Sequence, residues 1–564
     1  MKVGVGAMVG ALLLLLCGCN GGGSASEAPS GAAGYGSFRK FADAYFKAYY
    51  AFYPSDATAA GIHDYDTKLE DFSANRMRNR SSELRGQLLM LEEIRKQKLA
   101  PEDAIDAAIL DGNIRAELLD IDTIRWWRKN AIRYVSTPGQ AADLLMKRNF
   151  GPPQERLRLL IGRLEGVDGL LAAMRDNVTD APREFTQLAH RICTGSVGFF
   201  RNEVAAWARE AAGSDELLFG RFQAANRKAA MAFEISTIFL ADQLPLSNGS
   251  FAIGASSFAK KLEYEEMIDT PLDKLLAIGE AQLEKDYKDF LATAQRIQPG
   301  APAAQTMSRL SDEHPSESEL VPFAKATLES IRKFVVEKKI IAIPSDVRPT
   351  ILETPPYARS GTFASMDTPG AFEFQAKEAF YYVTPPEKTW TPAHKQEHLR
   401  LFNKPVMDII TIHEAFPGHY TQFLYAKEFP THTRKLTSTK SNAEGWAHYT
   451  EQMMLEEGFG AGDPKIKLAQ LSEALLRDCR FVAGIRMHTR NETVEQAARL
   501  FVDRGFQEPA NAYEEARRGA YDPTYLYYTA GKLQLYKLRD DYKRERGAAY
   551  TLEKFHSDFI RQGS

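Results

Sequence analysis

Residues 404–428 read KPVMDIITIHEAFPGHYTQFLYAKE, which puts His413 and Glu414 together after an apolar approach and His419 five residues beyond the glutamate. This is H-E-x-x-H lengthened by two residues. In the shorter motif two histidines four apart share a helix face and bind zinc, while the glutamate beside the first polarises the bound water. In an undistorted helix, a spacing of six rotates the second histidine roughly 120° off that face. Pro417 and Gly418 supply a remedy. Proline lacks the N–H that would bond the carbonyl of His413 and clashes with that turn, and glycine accepts unusual dihedrals. Two residues can then loop out and return His419 to the metal side. A proline–glycine pair costs a helix about 4 kcal/mol of propensity, which metal ligation would offset. The expected helix starts near Pro405, breaks its hydrogen-bond ladder between His413 and Gly418 and resumes through Tyr425. The plainer alternative is a helix that ends at Phe416, with another beginning at His419.

Downstream, SNAEGWAHYTEQMMLEEGF (441–459) sets Glu444, His448 and Glu451 at i, i+4 and i+7 on one helix face. A glutamate from a following helix is the third ligand that a catalytic His/His/Glu zinc site requires, with the fourth position left for water. The reading is therefore one zinc per chain on His413, His419 and Glu444, with Glu414 as general base and a metal site spanning about residues 405–457. His448 and Glu451 would orient ligands or contact substrate, against the plainer reading of a solvated polar face. Attack on a carbonyl needs donors aimed at the oxyanion. The segment AYDPTYLYYTAGKLQLYKLR (520–539) offers Tyr528 first and Tyr527 second, with Tyr521 and Tyr525 nearby. Aromatic packing is the alternative for each.

Three other groupings compete for attention. His394, Glu397 and His398 match the inverted pattern H-x-x-E-H, but they follow the helix-start signal Thr391-Pro392 among charged neighbours, and an exposed first turn explains them. His63, Asp64 and Asp66 could bind a cation, although capping and turn formation account for them equally. Arg480, Arg486, His488 and Arg490 in RFVAGIRMHTR offer a grip on a substrate carboxylate, or simply a charged surface.

Around this motif the chain is mainly helical. Residues 38–338 are dominated by helical periodicity, as in PPQERLRLLIGRLEGVDGLLAAM (152–174). Between Ile340 and Pro386, prolines, β-branched residues and aromatics mark the best strand candidates. The expectation is a small β-ribbon just before the motif helix, with FEFQAKEAFYYV (372–383) as an edge strand for an extended peptide. That placement favours peptides over small esters or amides. With 564 residues the chain exceeds what one core usually serves, so two lobes are expected. A formal net charge of -3 argues against nucleic acid as a partner.

The N-terminus MKVGVGAMVGALLLLLCGC carries Lys2, an apolar run from Val9 to Leu16 and then small residues and cysteine. It reads as a signal peptide over 1–18, too short to span a bilayer. Residues 19–37 read as a flexible tether. Leu16-Cys17-Gly18-Cys19 resembles a bacterial lipobox with Cys19 acylated, which would anchor the chain to a membrane of the cell envelope on the periplasmic side; the plainer alternative is an ordinary cleaved secretory signal. Of the remaining cysteines, Cys193 and Cys479 sit in apolar helical stretches, where pairing and burial as free thiols are both open.

HEAFPGHY (413–420) followed by EGWAHYTE (444–451) resembles the bacterial family known as domain of unknown function 885. GIHDYDTKLEDFS (61–73), ETPPY (353–357) and PTYLYYTAGKLQLYKLR (523–539) carry the likeness over most of the chain. The resemblance implies a helical zincin fold over residues 38–564, similar to peptidases whose third ligand is a glutamate. It also implies export as a lipoprotein, zinc at His413, His419 and Glu444, and Glu414 as base. The expected activity is that of a zinc metallopeptidase acting on a peptide substrate. The alternatives are a metalloamidase or esterase for non-peptide substrates, and a tethered binding lipoprotein with a degenerate metal site.

Overall fold

The structure is a computed structural model that describes residues 32–563 apart from 356–358, 360–362 and 389. The signal peptide, the lipobox with Cys17 and Cys19, residues 19–31 of the tether, and Pro356 and Tyr357 of ETPPY lie outside the described residues.

From Ala32 to Glu337 the chain is helical, and heptad-like spacing explains why. In the helix Pro153–Asn177 the buried Leu157, Leu160, Ile161, Leu164, Val167, Leu171 and Met174 recur every three or four residues. That stripe packs on the long helix Glu216–Gln243. Residues between Phe38 and Leu240 share one apolar core. The first helix spans Ala32–Phe52, so residues 32–37, expected as tether, are helical. The reason lies in Phe38, Phe41, Tyr45 and Phe46, which are buried. A helix nucleated by that packing extends at little cost into the alanines before it.

A second core joins the helix Leu272–Ile297 to the helix Pro464–Thr489 and to Tyr525–Tyr528. A third gathers Leu320–Ile341, the strands, the motif helix Lys404–Glu414 and the helix Lys440–Glu456, termed here the glutamate helix. The motif helix belongs to the third core, and the tyrosines beside it belong to the second.

The small β element expected within residues 340–386 is a three-stranded mixed sheet. Its strands are β1 (Thr350–Glu353), β2 (Ala364–Asp367) and β3 (Phe380–Val383), in the order β1-β3-β2. β1 runs parallel to β3 with Thr350 opposite Phe380, and β2 runs antiparallel with Ala364 opposite Val383. The edge-strand expectation for 372–383 is corrected: β3 is the central strand. Tyr381, Tyr382 and Val383 are all buried, as befits a strand covered on both faces. The edge beside the motif helix is β2. Tyr381 ties the sheet to that helix through a 3.1 Å hydrogen bond between its hydroxyl and that of Thr411.

Cys193 and Cys479 are buried free thiols. Among the described residues no helix is long and apolar enough to cross a membrane.

Candidate metal centre

The motif helix is capped by Asn403, whose side chain accepts from the Val406 N–H at 3.2 Å, and Pro405 occupies its first turn. Its ladder is regular through the Ala415 N–H, which donates to the Thr411 carbonyl at 2.9 Å. The Ile412 carbonyl then receives the Gly418 N–H at 3.1 Å, and the Ala415 carbonyl receives the Thr421 N–H at 3.2 Å. Both partners lie six residues on instead of four, so two residues have left the ladder. A second helix, His419–Tyr425, takes up the chain in the shifted register. Both sequence alternatives are therefore partly realised: there are two helices, yet His419 returns to the side of His413. Gly418 combines a φ of -70° with a ψ of -136°, an unusual pair of the kind expected of it and one that glycine accepts. A Cβ there would stand 1.7 Å from the His413 carbonyl oxygen. Space, as well as conformation, demands glycine here.

The glutamate helix completes the arrangement from the other side. Trp446 donates its indole N–H to the Pro417 carbonyl at 2.8 Å and so holds the looped segment. Two residues earlier, Glu444 Oε2 lies 3.3 Å from His413 Nε2 and 3.4 Å from His419 Nε2. The two imidazoles are nearly perpendicular, at 89° with centroids 4.9 Å apart. Among the described residues these three form the one cluster of metal-type ligands, with ligand atoms all within 4.8 Å of one another. The residues fit zinc on two counts. Tetrahedral bonds of about 2.0–2.1 Å separate neighbouring ligand atoms by about 3.4 Å, the spacing found at Glu444. Glu444 Oε2 is also buried without a hydrogen bond, and its contacts exceed the roughly 2.7–2.9 Å of a charge-assisted bond. Burial pushes the Glu444 carboxyl up, but His419 and His413 beside it hold it well below the usual carboxylate range.

Behind His413 stands Glu451, fully buried, with Oε1 2.7 Å from His413 Nδ1 and Oε2 3.0 Å from His448 Nδ1. Arg477 approaches it at 3.7 Å. This carboxylate orients the His413 ring so that Nε2 faces Glu444 and His419. Burial would lower the pKa of His413, and the neighbouring carboxylates of Glu444 and Glu451 outweigh it, raising it to about 10. For His448, burial followed by the charge of Lys532 depresses the pKa to about 3, so the ring stays neutral. His448 lines no part of the open cavity and touches the centre only through Glu451.

Glu414 stands with His413, His419 and Glu444 on the wall of a cavity of about 650 Å³. Tyr528 lines it too, its ring 6.4 Å from that of His413 and its hydroxyl accepting from Arg518 Nη2 at 3.2 Å. Tyr527 is turned elsewhere and donates to Asp522 at 2.7 Å. Tyr525 is fully buried, and Tyr521 borders a different cavity. Of the basic cluster, Arg480 reaches the cavity and forks onto Glu515 at 2.7 and 2.8 Å. Arg486 and Arg490 pair with Glu280 and Asp273, while His488 is buried against the Gly519 carbonyl at 2.7 Å.

The other groupings do not converge on a metal. His398 is buried and bonded to the Thr384 carbonyl at 2.8 Å, whereas His394 stacks on Trp390 and Glu397 is exposed. His63 bridges Asp66 at 2.8 Å and Glu373 at 3.1 Å, which clasps the early turn to the segment after β2. Sequence reasoning missed Arg477, Arg518, Glu473, Phe363 and the β2 residues Ala364–Met366, all on the cavity wall. One signal was present: charged residues at 473, 477, 478 and 480 interrupt an otherwise apolar helix, and such positions are seldom buried without a purpose.

A family model described as "Bacterial protein of unknown function (DUF885)" matches residues 54–564. Among solved structures, a "putative lipoprotein of unknown function" from Shewanella oneidensis is 25% identical, with a TM-score of 0.77 over 93% of this chain and 97% of that one. A "putative lipoprotein" from Colwellia psychrerythraea, 17% identical, shares the fold with a TM-score of 0.78 over 94% of this chain and 97% of its own. No curated protein matches the chain.

Proposed function

We propose that this chain, which belongs to the DUF885 family of bacterial proteins of unknown function, is a zinc-dependent hydrolase of two-lobed zincin type, and specifically a peptidase. The observation that carries the reading is the two-residue shift in the helix ladder that returns His419 to His413 and Glu444, with Glu414 beside them on the cavity wall.

When bound, zinc would supply a water of lowered pKa and polarise a substrate carbonyl. His413, His419 and Glu444 are the residues that would hold it, leaving one position open. Glu414 takes the proton as the water oxygen bonds to the carbonyl carbon, and passes it to the amine as the C–N bond breaks. Tyr528 is suited to donate its hydroxyl proton in a hydrogen bond to the developing oxyanion. Tyr527, engaged with Asp522, is the weaker choice. Glu451 and His448 act through His413, by orientation. A peptide substrate is favoured by β2, an edge strand whose residues Ala364–Met366 line the cavity and can pair with an extended chain.

The reading is tested by metal analysis and by digestion of a peptide mixture read by mass spectrometry. We expect one zinc per chain, activity lost to a chelator, and zinc retained in Glu414→Gln while turnover falls by roughly three or more orders of magnitude. A protein that takes up no zinc after reconstitution, or a Glu414→Gln variant that still cleaves, would defeat it. The lipoprotein description of the two solved neighbours supports acylation at Cys19 and anchoring in the cell envelope. Fatty-acid labelling of the wild type that disappears in Cys19→Ala is the expected outcome.

A further inference from the structure

Three guanidinium groups, Arg477, Arg480 and Arg518, line the cavity beside Tyr528, with 5.0–5.8 Å from each to its ring. Two of them are matched by protein carboxylates. Arg480 forks onto Glu515 at 2.7 and 2.8 Å, and Arg477 is held by the side chain and carbonyl of Glu473. Arg518 is not matched in this way. Its nearest carboxylate, Asp522, lies 3.4 Å away and already takes Lys440 at 3.1 Å and the Tyr527 hydroxyl at 2.7 Å. Among the described residues, hydrogen bonds reach only its Nη2, all between 3.2 and 3.4 Å. Nε and Nη1 carry no hydrogen bond among these residues, and the contacts of Nη2 are long, on a side chain that is 29% exposed in the cavity. An incoming carboxylate can take the planar Nη1–Nη2 fork in place of those long contacts, the bidentate geometry by which a guanidinium grips a carboxylate.

Its distance from the metal centre gives the fork a meaning. Arg518 and His413 both lie against the Tyr528 ring, the guanidinium carbon 5.8 Å and the imidazole centre 6.4 Å from the centre of that ring. An extended chain advances at most about 3.3–3.6 Å per residue. One or two residues therefore bridge a carboxylate on Arg518 and a scissile carbonyl at the ligand atoms.

Resting on the hydrolytic reading above, we propose that Arg518 binds the C-terminal carboxylate of the substrate, so that the enzyme trims peptides one or two residues at a time from that end. Each cut is a hydrolysis: water oxygen bonds to the carbonyl carbon, the C–N bond breaks, and the amine that leaves belongs to the fragment held by Arg518.

The test uses the zinc-loaded full-length mature protein, one ten-residue peptide with a free C-terminus and the same peptide as its C-terminal amide. Products are mapped by mass spectrometry, and binding of both peptides to Glu414→Gln is measured by calorimetry. The free acid should shorten from its C-terminus. The amide should be cut, and bound, more weakly by on the order of a hundredfold, the value of charged hydrogen bonds lost. Arg518→Met in the Glu414→Gln background should erase the binding difference by weakening the acid, and Arg518→Lys should restore part of it. Equal binding and cleavage of acid and amide, or internal cuts in both, would overturn the carboxylate grip and leave the hydrolase reading standing. Cleavage of neither peptide by zinc-loaded protein would remove the peptidase reading and this one with it.

Discussion

A Cβ on Gly418 would meet the His413 carbonyl oxygen at 1.7 Å and the Ile412 carbonyl oxygen at 2.5 Å, and both are backbone atoms that cannot swing aside. Gly418→Ala must push the looped segment away from the motif helix, and His419 moves with it. We expect a loss of at least about 2 kcal/mol of stability together with loss of stoichiometric zinc, read by thermal unfolding and by metal analysis after dialysis. An alanine variant that keeps both would show that the segment relaxes freely. Glu451 acts at one remove. Its two oxygens each hold an imidazole at 2.7 and 3.0 Å, in a fully buried position. Glu451→Gln removes the charge that orients His413, and zinc affinity should fall by about 10–100-fold, measured by competition with a chelator. Unchanged affinity would reduce Glu451 to a packing residue.

At the scale of elements, the glutamate helix both carries Glu444 and clamps the looped segment through Trp446. It can do so because it lies backbone to backbone on the helix Tyr527–Arg546, where Gly445 and Gly531 meet. A Cβ on Gly531 would come within 2.0 Å of the Ser441 carbonyl oxygen. Gly531→Ala should therefore part the two helices, costing roughly 1–3 kcal/mol and separating Tyr528 from Glu444. The readouts are a lowered melting temperature and a weaker zinc affinity; stability and affinity equal to wild type would show that the contact is slack. These contacts mark where sequence stops being legible. The pair Pro417-Gly418 within a histidine spacing of six signals a break, because local sterics act within a few residues. Likewise Glu444, His448 and Glu451 declare one helix face by their spacing. Gly445 on Gly531, or Arg518 beside Tyr528 and the ligands, depends on how distant segments pack, and no local period encodes that. The same limit explains the sheet: 380–383 is legible as a strand, but its central place depends on β1 and β2 closing on either side.

Across the whole molecule, burial of titratable groups links the fold to pH. His488 is buried in the second core against the Gly519 carbonyl, and His556 in the third between the Ile340 carbonyl at 2.8 Å and the Tyr449 hydroxyl at 2.9 Å. Burial depresses His488 to about 4 and His556 to about 3, in each case against the pull of its backbone hydrogen bond. An unfolded histidine titrates near pH 6.5. The unfolded chain therefore binds more protons than the folded one between about pH 6.5 and 3–4, and stability rises with pH through that window. The stabilising contribution is complete above pH 6.5 and is lost as pH falls towards the folded values. Each histidine adds up to about 1.4 kcal/mol per pH unit to the slope. Asp478, which burial pushes up to about 7, acts in the opposite sense over part of the same range, so a single wild-type slope mixes the two. A comparison separates them. His556→Gln keeps a donor and an acceptor for Ile340 and Tyr449 but cannot take up a proton. Its urea-unfolding free energy, measured between pH 4 and 6, should fall less steeply than the wild type's by about 1.4 kcal/mol per pH unit. Parallel acid limbs in the two proteins would mean that His556 charges without cost in the folded state, and that the third core opens to water before it unfolds.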